Sequence, residues 1–125
     1  MSWQSYVDDQ LVATGLANAL IMGHDGHLWA TSKDFGLLPG EGPAIAAVFK
    51  NPGLLFSNGM TVNGVRYLGI KGDERSAYGK RTMGGVVCVK TVQAIIVAVY
   101  DEKLQPGQAA NTVEKLGDYL LENGF

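Results

Sequence analysis

The sequence contains very little cysteine and no long apolar segment, and both features narrow the class of protein. Cys88 is the only cysteine in 125 residues, so no intramolecular disulfide can form. No apolar run approaches the ~18 residues of a membrane-spanning helix, and no signal-peptide pattern or Asn-x-Ser/Thr glycosylation site is present. Charged residues make up 18% of the chain and the net charge is −2, so no overall field attracts nucleic acid. We therefore expect a cytoplasmic protein without a nucleic-acid partner.

Catalytic and metal-binding motifs are also missing. The segment Gly79-Lys80-Arg81-Thr82 lacks the Ser or Thr that follows the lysine of a P-loop, and there is no G-x-S-x-G nucleophile motif. His24 and His27 flank a turn, and no cysteine or third histidine accompanies them as a metal ligand. We expect no enzymatic activity, no cofactor and no bound metal. A small ligand-binding protein or enzyme with a site near His24 and His27 is the alternative from another functional class.

The densest run of strand-forming residues lies between Val86 and Tyr100. It is interrupted by polar residues only around Lys90–Gln93, and it predicts two strands, about Gly85–Thr91 and Ala94–Tyr100. Both faces of the second strand are apolar, so both must be covered. We expect helices to pack on each side of this sheet.

The remaining pattern predicts an α+β fold. It is a central antiparallel β-sheet, built as a meander, with the N- and C-terminal helices packed on one face and short helices on the other. One domain is expected over residues 1–125. The predicted helices are Trp3–Ala13, capped by Ser2, then Pro43–Lys50 and Pro106–Glu122. The predicted strands are Leu16–Met22, His27–Thr31, Met60–Val62, Val65–Lys71 and Arg75–Gly79, with Leu54–Thr61 irregular or a short strand and Asn63-Gly64 forming a hairpin turn.

Two aromatic residues lie beside the buried stripe of the first helix. Val7 and Leu11 define that stripe, and Trp3 and Tyr6 fall on its flank as half-exposed rings. On the last helix, Tyr119 lies outside the stripe formed by Ala109, Val113, Leu116 and Leu120. A groove of exposed aromatic rings suits proline-rich segments, because their polyproline II helix is already stiff and their rings stack on Trp and Tyr.

Positive charge is concentrated in the middle of the chain. Between Asn63 and Thr91 there are six cations and only two acids, Asp73 and Glu74. The cations are Arg66, Lys71, Arg75, Lys80, Arg81 and Lys90. Such a stripe indicates either a solvated sheet face or a site for an acidic partner.

Several short motifs, taken in order, resemble the profilin family over the whole length of the chain. They are Met1–Asp8 (MSWQSYVD), Gly23-His24-Asp25-Gly26 with Trp29-Ala30, Arg66-Tyr67, Gly79-Lys80-Arg81 and Glu114–Leu120 (EKLGDYL). The last of these and the end of the chain look most like amoeboid and plant profilins.

The resemblance implies binding to monomeric actin, to proline-rich segments of actin assembly factors and to anionic phosphoinositides, and a role in regulating actin assembly at the cytoskeleton. It assigns the polyproline site to Trp3, Tyr6, Trp29, Leu116 and Tyr119. It assigns the actin face to Phe56, Arg66, Lys71, Lys80, Arg81, Lys90 and Asn111. An adaptor that binds proline-rich segments with weak or no actin binding remains a second interpretation.

Overall fold

A seven-stranded antiparallel sheet organises the computed structural model, which describes residues 2–125. Its strand order is β2-β1-β7-β6-β5-β4-β3. The strands are β1 Asn18–Gly23, β2 Leu28–Thr31, β3 Met60–Val62, β4 Val65–Gly72, β5 Ser76–Arg81, β6 Gly84–Lys90 and β7 Ala94–Asp101. The helices are α1, over residues 3–14, α2 Glu41–Lys50, α3 Gly53–Asn58 and α4 Pro106–Glu122.

The two strands predicted from the densest apolar run form the middle of the sheet. In β6 and β7, Val87 pairs with Ala98 and Cys88 with Val97. The first pair belongs to the core beneath α1 and α4, and the second to the core beneath α2 and α3. Helices therefore cover both faces, and the expected α+β architecture is confirmed.

The N-terminal helix has the predicted cap and stripe but not the predicted regularity. The Ser2 hydroxyl accepts a hydrogen bond from the Ser5 N–H at 3.1 Å, and Val7 and Leu11 are fully buried. After Trp3–Ser5 the helix widens to a π-helix over Tyr6–Leu11 and ends as a 3₁₀ turn at Val12–Thr14. The Thr14 hydroxyl donates to the Leu11 carbonyl at 2.6 Å, so a side chain uses an acceptor that the backbone ladder would otherwise use.

The pattern predicts that Leu54–Thr61 is irregular or a short strand, and this is wrong for Leu54–Asn58. Gly53–Asn58 forms α3, and β3 begins at Met60. The helix is held by Leu55, which is fully buried, against two glycines of β4. A Cβ on Gly69 would lie 2.6 Å from Leu55 Cγ, so glycine is what permits this close approach.

The last helix has the predicted bounds, Pro106–Glu122. Its predicted stripe of Ala109, Val113, Leu116 and Leu120 is buried. Gly117 brings the helix onto β6, because a Cβ there would lie 2.7 Å from Val89 Cγ1. The helix axis is thereby fixed close to the sheet.

Candidate binding surfaces

The aromatic residues singled out from the sequence meet in one cluster. The ring centroid of Trp3 lies 5.0 Å from that of Trp29 and 5.8 Å from that of Tyr6. Tyr6 in turn lies 6.2 Å from Tyr119, in an edge-to-face arrangement. These separations are within the range of favourable aromatic pairs, so residues from α1, β2 and α4 form one continuous surface.

The secondary structure explains why these rings converge. Trp3 and Tyr6 are one turn apart on α1, and Trp29 lies on the edge strand β2 beneath that helix. The Gln4 side chain donates to the Thr31 carbonyl at 2.7 Å, which fastens α1 to β2. Tyr119 enters from α4, which packs beside α1 on the same sheet face.

The cluster has an exposed rim and a buried floor. Trp29 and Tyr119 are 41% and 47% exposed, whereas Tyr6 and Leu116 are 7% and 6% exposed. Tyr6 is therefore more buried than the half-exposed position expected from its place on the helix, because the rings of Trp3 and Tyr119 pack on it. Burial, and then the neighbouring Tyr119, raise the pKa of Tyr6 above its usual value. At neutral pH a tyrosine hydroxyl keeps its proton with an ordinary or a raised pKa, so Tyr6 can donate a hydrogen bond.

Phe125 joins the cluster and was not predicted from the sequence. Its ring lies 5.9 Å from that of Trp3 in an edge-to-face arrangement and is 40% exposed. Its carbonyl accepts hydrogen bonds from the Thr91 hydroxyl at 2.9 Å and from the Gln93 N–H, so the β6–β7 turn holds it in place. The sequence offered one signal for this contact, namely an aromatic residue directly after Asn123-Gly124, where the last helix ends.

Part of the predicted actin set lies on the same sheet face as α4. Lys80 pairs with Leu68 and Lys71 with Tyr78 across β4 and β5, and paired residues project to the same side. Tyr78 contacts Glu114 of α4, which identifies that side. The Lys71 ammonium lies 5.0 Å from the Tyr78 ring centroid, within the range of a cation–π contact.

Exposed apolar side chains accompany these cations, and the sequence patterns did not indicate them. Leu68 and Ile70 of β4 are 58% and 49% exposed, and Met83, in the β5–β6 turn, is 54% exposed. Apolar groups of this size interleaved with Lys and Arg are typical of a protein interface.

The other predicted actin residues do not all face the same way. Phe56 is an exposed residue of α3 whose ring approaches Gly72 at the end of β4. Lys90 pairs with Ile95 of the core beneath α2 and α3, so it projects to the opposite face from Lys80. Arg81 follows Lys80 on β5 and also projects to that opposite face. The remaining two are Arg66, whose guanidinium donates to the Asn58 carbonyl at 3.0 Å, and Asn111, exposed on α4.

Arg75 belongs to the basic stripe by sequence but is neutralised in the structure. Its guanidinium contacts Asp118 at 2.7 Å and Glu114 at 3.1 Å. Glu114 also accepts from the Ser76 hydroxyl at 2.7 Å and from the Tyr78 hydroxyl. Burial and the Glu114 carboxylate raise the pKa of Tyr78. This network joins α4 to β5 and leaves fewer free cations than the composition suggested.

The two histidines point to separate partners. His24 Nε2 lies 2.9 Å from the Thr91 carbonyl oxygen, and His27 Nδ1 lies 3.0 Å from Asp25 Oδ2. Hydrogen bonds from the His27 backbone and side chain lower the pKa of Asp25. Within residues 2–125, no three His, Cys, Asp or Glu side chains gather as metal ligands would. None of the helices in that part of the chain combines the length and apolarity needed to cross a bilayer.

Comparison with known proteins gives consistent results for sequence and structure. The profilin family model matches residues 1–125. Profilin-P of Physarum polycephalum is 58% identical over the full length of both chains. The crystal structure of Acanthamoeba castellanii profilin II has a TM-score of 0.96 and 52% identity, covering 99% of this chain and 100% of that one. Mouse profilin IIa, solved in complex with a double repeat from the FH1 domain of mDia1, shares the fold at 20% identity and a TM-score of 0.80 over all of both chains.

Proposed function

Because the chain belongs to the profilin family, we propose that it binds monomeric actin and proline-rich segments in the polyproline II conformation, and so regulates actin assembly in the cytoplasm. The observation that carries this proposal is the cluster of Trp3, Tyr6, Trp29 and Tyr119 on one surface. The protein acts by binding and contributes no catalytic step of its own.

The cluster has the chemistry that a proline-rich segment requires. Such a segment presents flat rings and backbone carbonyls but has no N–H at its prolines. The exposed faces of Trp29 and Tyr119 offer stacking surfaces, and the protonated Tyr6 hydroxyl offers a donor for a carbonyl. Leu116 supplies the apolar floor. We assign the five residues Trp3, Tyr6, Trp29, Leu116 and Tyr119 to this site and add Phe125, which packs on Trp3.

The actin face is proposed on the β4–β5 surface and the adjoining α3 and α4 residues. Lys71 and Lys80 flank the exposed Leu68 and Ile70, which offers both charge and apolar area to an acidic partner. This surface lies across α4 from the aromatic cluster, so one domain can hold both partners. The same cations support anionic phosphoinositides as a third partner, since each Lys or Arg near an anionic membrane contributes about 1 kcal/mol.

Two reciprocal variants test the proposal. Trp3→Ala removes a stacking anchor and should weaken polyproline binding by about 2 kcal/mol or more, a loss of at least ~30-fold, while actin affinity stays unchanged. The double variant Lys71→Glu/Lys80→Glu reverses the two cations that flank the exposed apolar residues of this surface and should weaken actin binding, most strongly at low salt, while polyproline affinity stays unchanged. Tryptophan fluorescence measures the first interaction, and titration of labelled actin monomers measures the second.

Each variant is the folding control for the other. Loss of both activities in Trp3→Ala, together with a fall in its unfolding midpoint, would mean that Trp3 is core and not a contact. Unchanged actin affinity in the charge-reversed variant at low salt would remove the β4–β5 surface from the proposal. Wild-type protein that binds polyproline but not actin would instead be an adaptor.

A further inference from the structure

A cavity of about 410 Å³ lies between α1 and α4, next to the aromatic cluster. Tyr6 and Tyr119 line both the cavity and the cluster, so the two form one groove. The cavity is lined by Tyr6, Gln10, Thr14, Thr112, Lys115, Leu116 and Tyr119. Its far half is thus polar, in contrast to the ring cluster.

The groove has two chemically different ends because α1 and α4 run antiparallel. Trp3 meets Phe125 at the aromatic end, and Thr14 and Thr112 line the other end. From Tyr6 to Thr14 the groove follows eight residues of α1, first π-helical and then 3₁₀, which span on the order of 12 Å because the longer 3₁₀ rise offsets the shorter π-helical rise. A polyproline II segment covers that distance with about four residues, so a ligand stacked on the rings reaches the polar end.

Free hydrogen-bond donors occupy that polar end. The Gln10 amide, the Thr112 hydroxyl and the Lys115 ammonium each line the cavity, and within residues 2–125 none of them makes a side-chain hydrogen bond or ion pair. Thr14 differs, because its hydroxyl proton is used by the Leu11 carbonyl. Lys115 is exposed, and among the residues that the structure describes it is the only charged one that lines the cavity.

The acidic side chains of the two helices do not neutralise Lys115. On α4, Glu114 and Asp118 are bound to Arg75 on the sheet side, and Glu122 lies two turns away. On α1, Asp8 accepts from Gln4, and Asp9 is exposed but does not line the cavity. The polar end therefore presents a positive charge to whatever enters the groove.

We propose that this end is an acid-selective subsite, in which Lys115 binds the carboxylate of an Asp or Glu that flanks the proline-rich segment. The inference rests on the proposed function, since the prolines must first occupy the aromatic end. Gln10 and Thr112 offer donors to the ligand's carbonyls at the same polar end. Lys115 thereby selects among proline-rich segments that bind the rings equally well.

The test is a fluorescence titration with octaproline peptides that are acetylated and amidated, so that their ends carry no charge. Each peptide has Glu, Gln or Lys two residues beyond one end of the prolines, and both ends are tried. At low salt we expect the Glu peptide of one orientation to bind about twofold to fivefold more tightly than its Gln counterpart, the range of an exposed ion pair. The Lys peptide should bind more weakly than the Gln peptide.

Two variants assign the preference. In Lys115→Gln the Glu and Gln peptides should bind equally, with the affinity for neutral octaproline retained. Lys50→Gln is a matched change of a lysine on α2, across the sheet, and should keep the preference for the Glu peptide. In the wild type and in Lys50→Gln, 0.5 M salt should abolish that preference. Equal binding of Glu and Gln peptides by the wild type, or a preference that survives in Lys115→Gln, overturns the subsite while leaving the proposed function intact. Failure of neutral octaproline to bind overturns both.

Discussion

Glu41 fastens three separate segments together, and its loss should be among the most costly substitutions outside the apolar core. It is the first residue of α2 and only 8% exposed. Its Oε1 accepts the N–H of Leu38 at 2.9 Å and of Asn63 at 2.6 Å, and its Oε2 accepts the N–H of Gly64 at 2.8 Å. Asn63 and Gly64 have φ of 50° and 80°, as a type I′ hairpin turn requires.

The magnitude follows from what each N–H loses in Glu41→Ala. A hydrogen bond to a charged group contributes about 1.5–3 kcal/mol. Asn63 and Gly64 are exposed residues, so water can replace the carboxylate at part of the site, and the full sum is not reached. We expect a loss of about 2–4 kcal/mol in the free energy of unfolding. For a chain of this size that corresponds to about 8–16 °C in the unfolding midpoint.

Urea unfolding of three variants measures this effect. Glu41→Gln should fall between wild type and Glu41→Ala, because its amide oxygen replaces one carboxylate oxygen while its NH₂ group faces the Gly64 N–H. Glu74→Ala removes an exposed acid whose side chain makes no hydrogen bond or ion pair among residues 2–125 and is the matched control. If Glu41→Ala unfolds within 0.5 kcal/mol of wild type, the carboxylate does not hold the turn and the reasoning is refuted.

Two further predictions concern α4 and its contact with the sheet. Gly117→Ala places a methyl group 2.7 Å from Val89 Cγ1, so we expect a loss of about 1–3 kcal/mol from overpacking; wild-type stability in a thermal melt would contradict the close contact. Burial and Glu114 raise the pKa of Tyr78, so above about pH 10 the unfolded tyrosine ionises while the folded one keeps its proton. Unfolding free energy should therefore fall as pH rises beyond that point, and less steeply in Tyr78→Phe; parallel pH profiles for the two proteins would exclude this role.

Sequence patterns predicted the elements whose signals are local. The last helix has a proline at its start and a clear apolar stripe, and Asn63-Gly64 demanded positive φ at two successive residues. Helix α3 has a proline at its start, Pro52, but no apolar stripe: it is six residues long and buries only Leu55. It forms because Gly69 leaves room for that side chain, and this contact is not visible in the local sequence of either segment.

The same distinction separates the predicted from the missed parts of the site. Trp3, Tyr6 and Tyr119 could be predicted as site residues because each falls outside the predicted apolar stripe of its own helix, although Tyr6 is buried in the structure. Phe125 lies beyond the helix and reaches Trp3 only because the β6–β7 turn holds its carbonyl. The charge of Arg75 was misjudged for the same reason, since Glu114 and Asp118 are distant in sequence.

Several large apolar side chains of this protein are exposed to water instead of being buried in a core. Each of them is 40% or more exposed: Trp29, Tyr119 and Phe125 on one surface, and Leu68 and Ile70 on another. Smaller side chains at these positions would leave less apolar area in water. Leaving such groups in water lowers stability relative to burying them. Neither group completes a core cluster, so stability alone does not explain them. A partner that covers these side chains recovers that free energy on binding, and this favours the proposal that each surface is an interface.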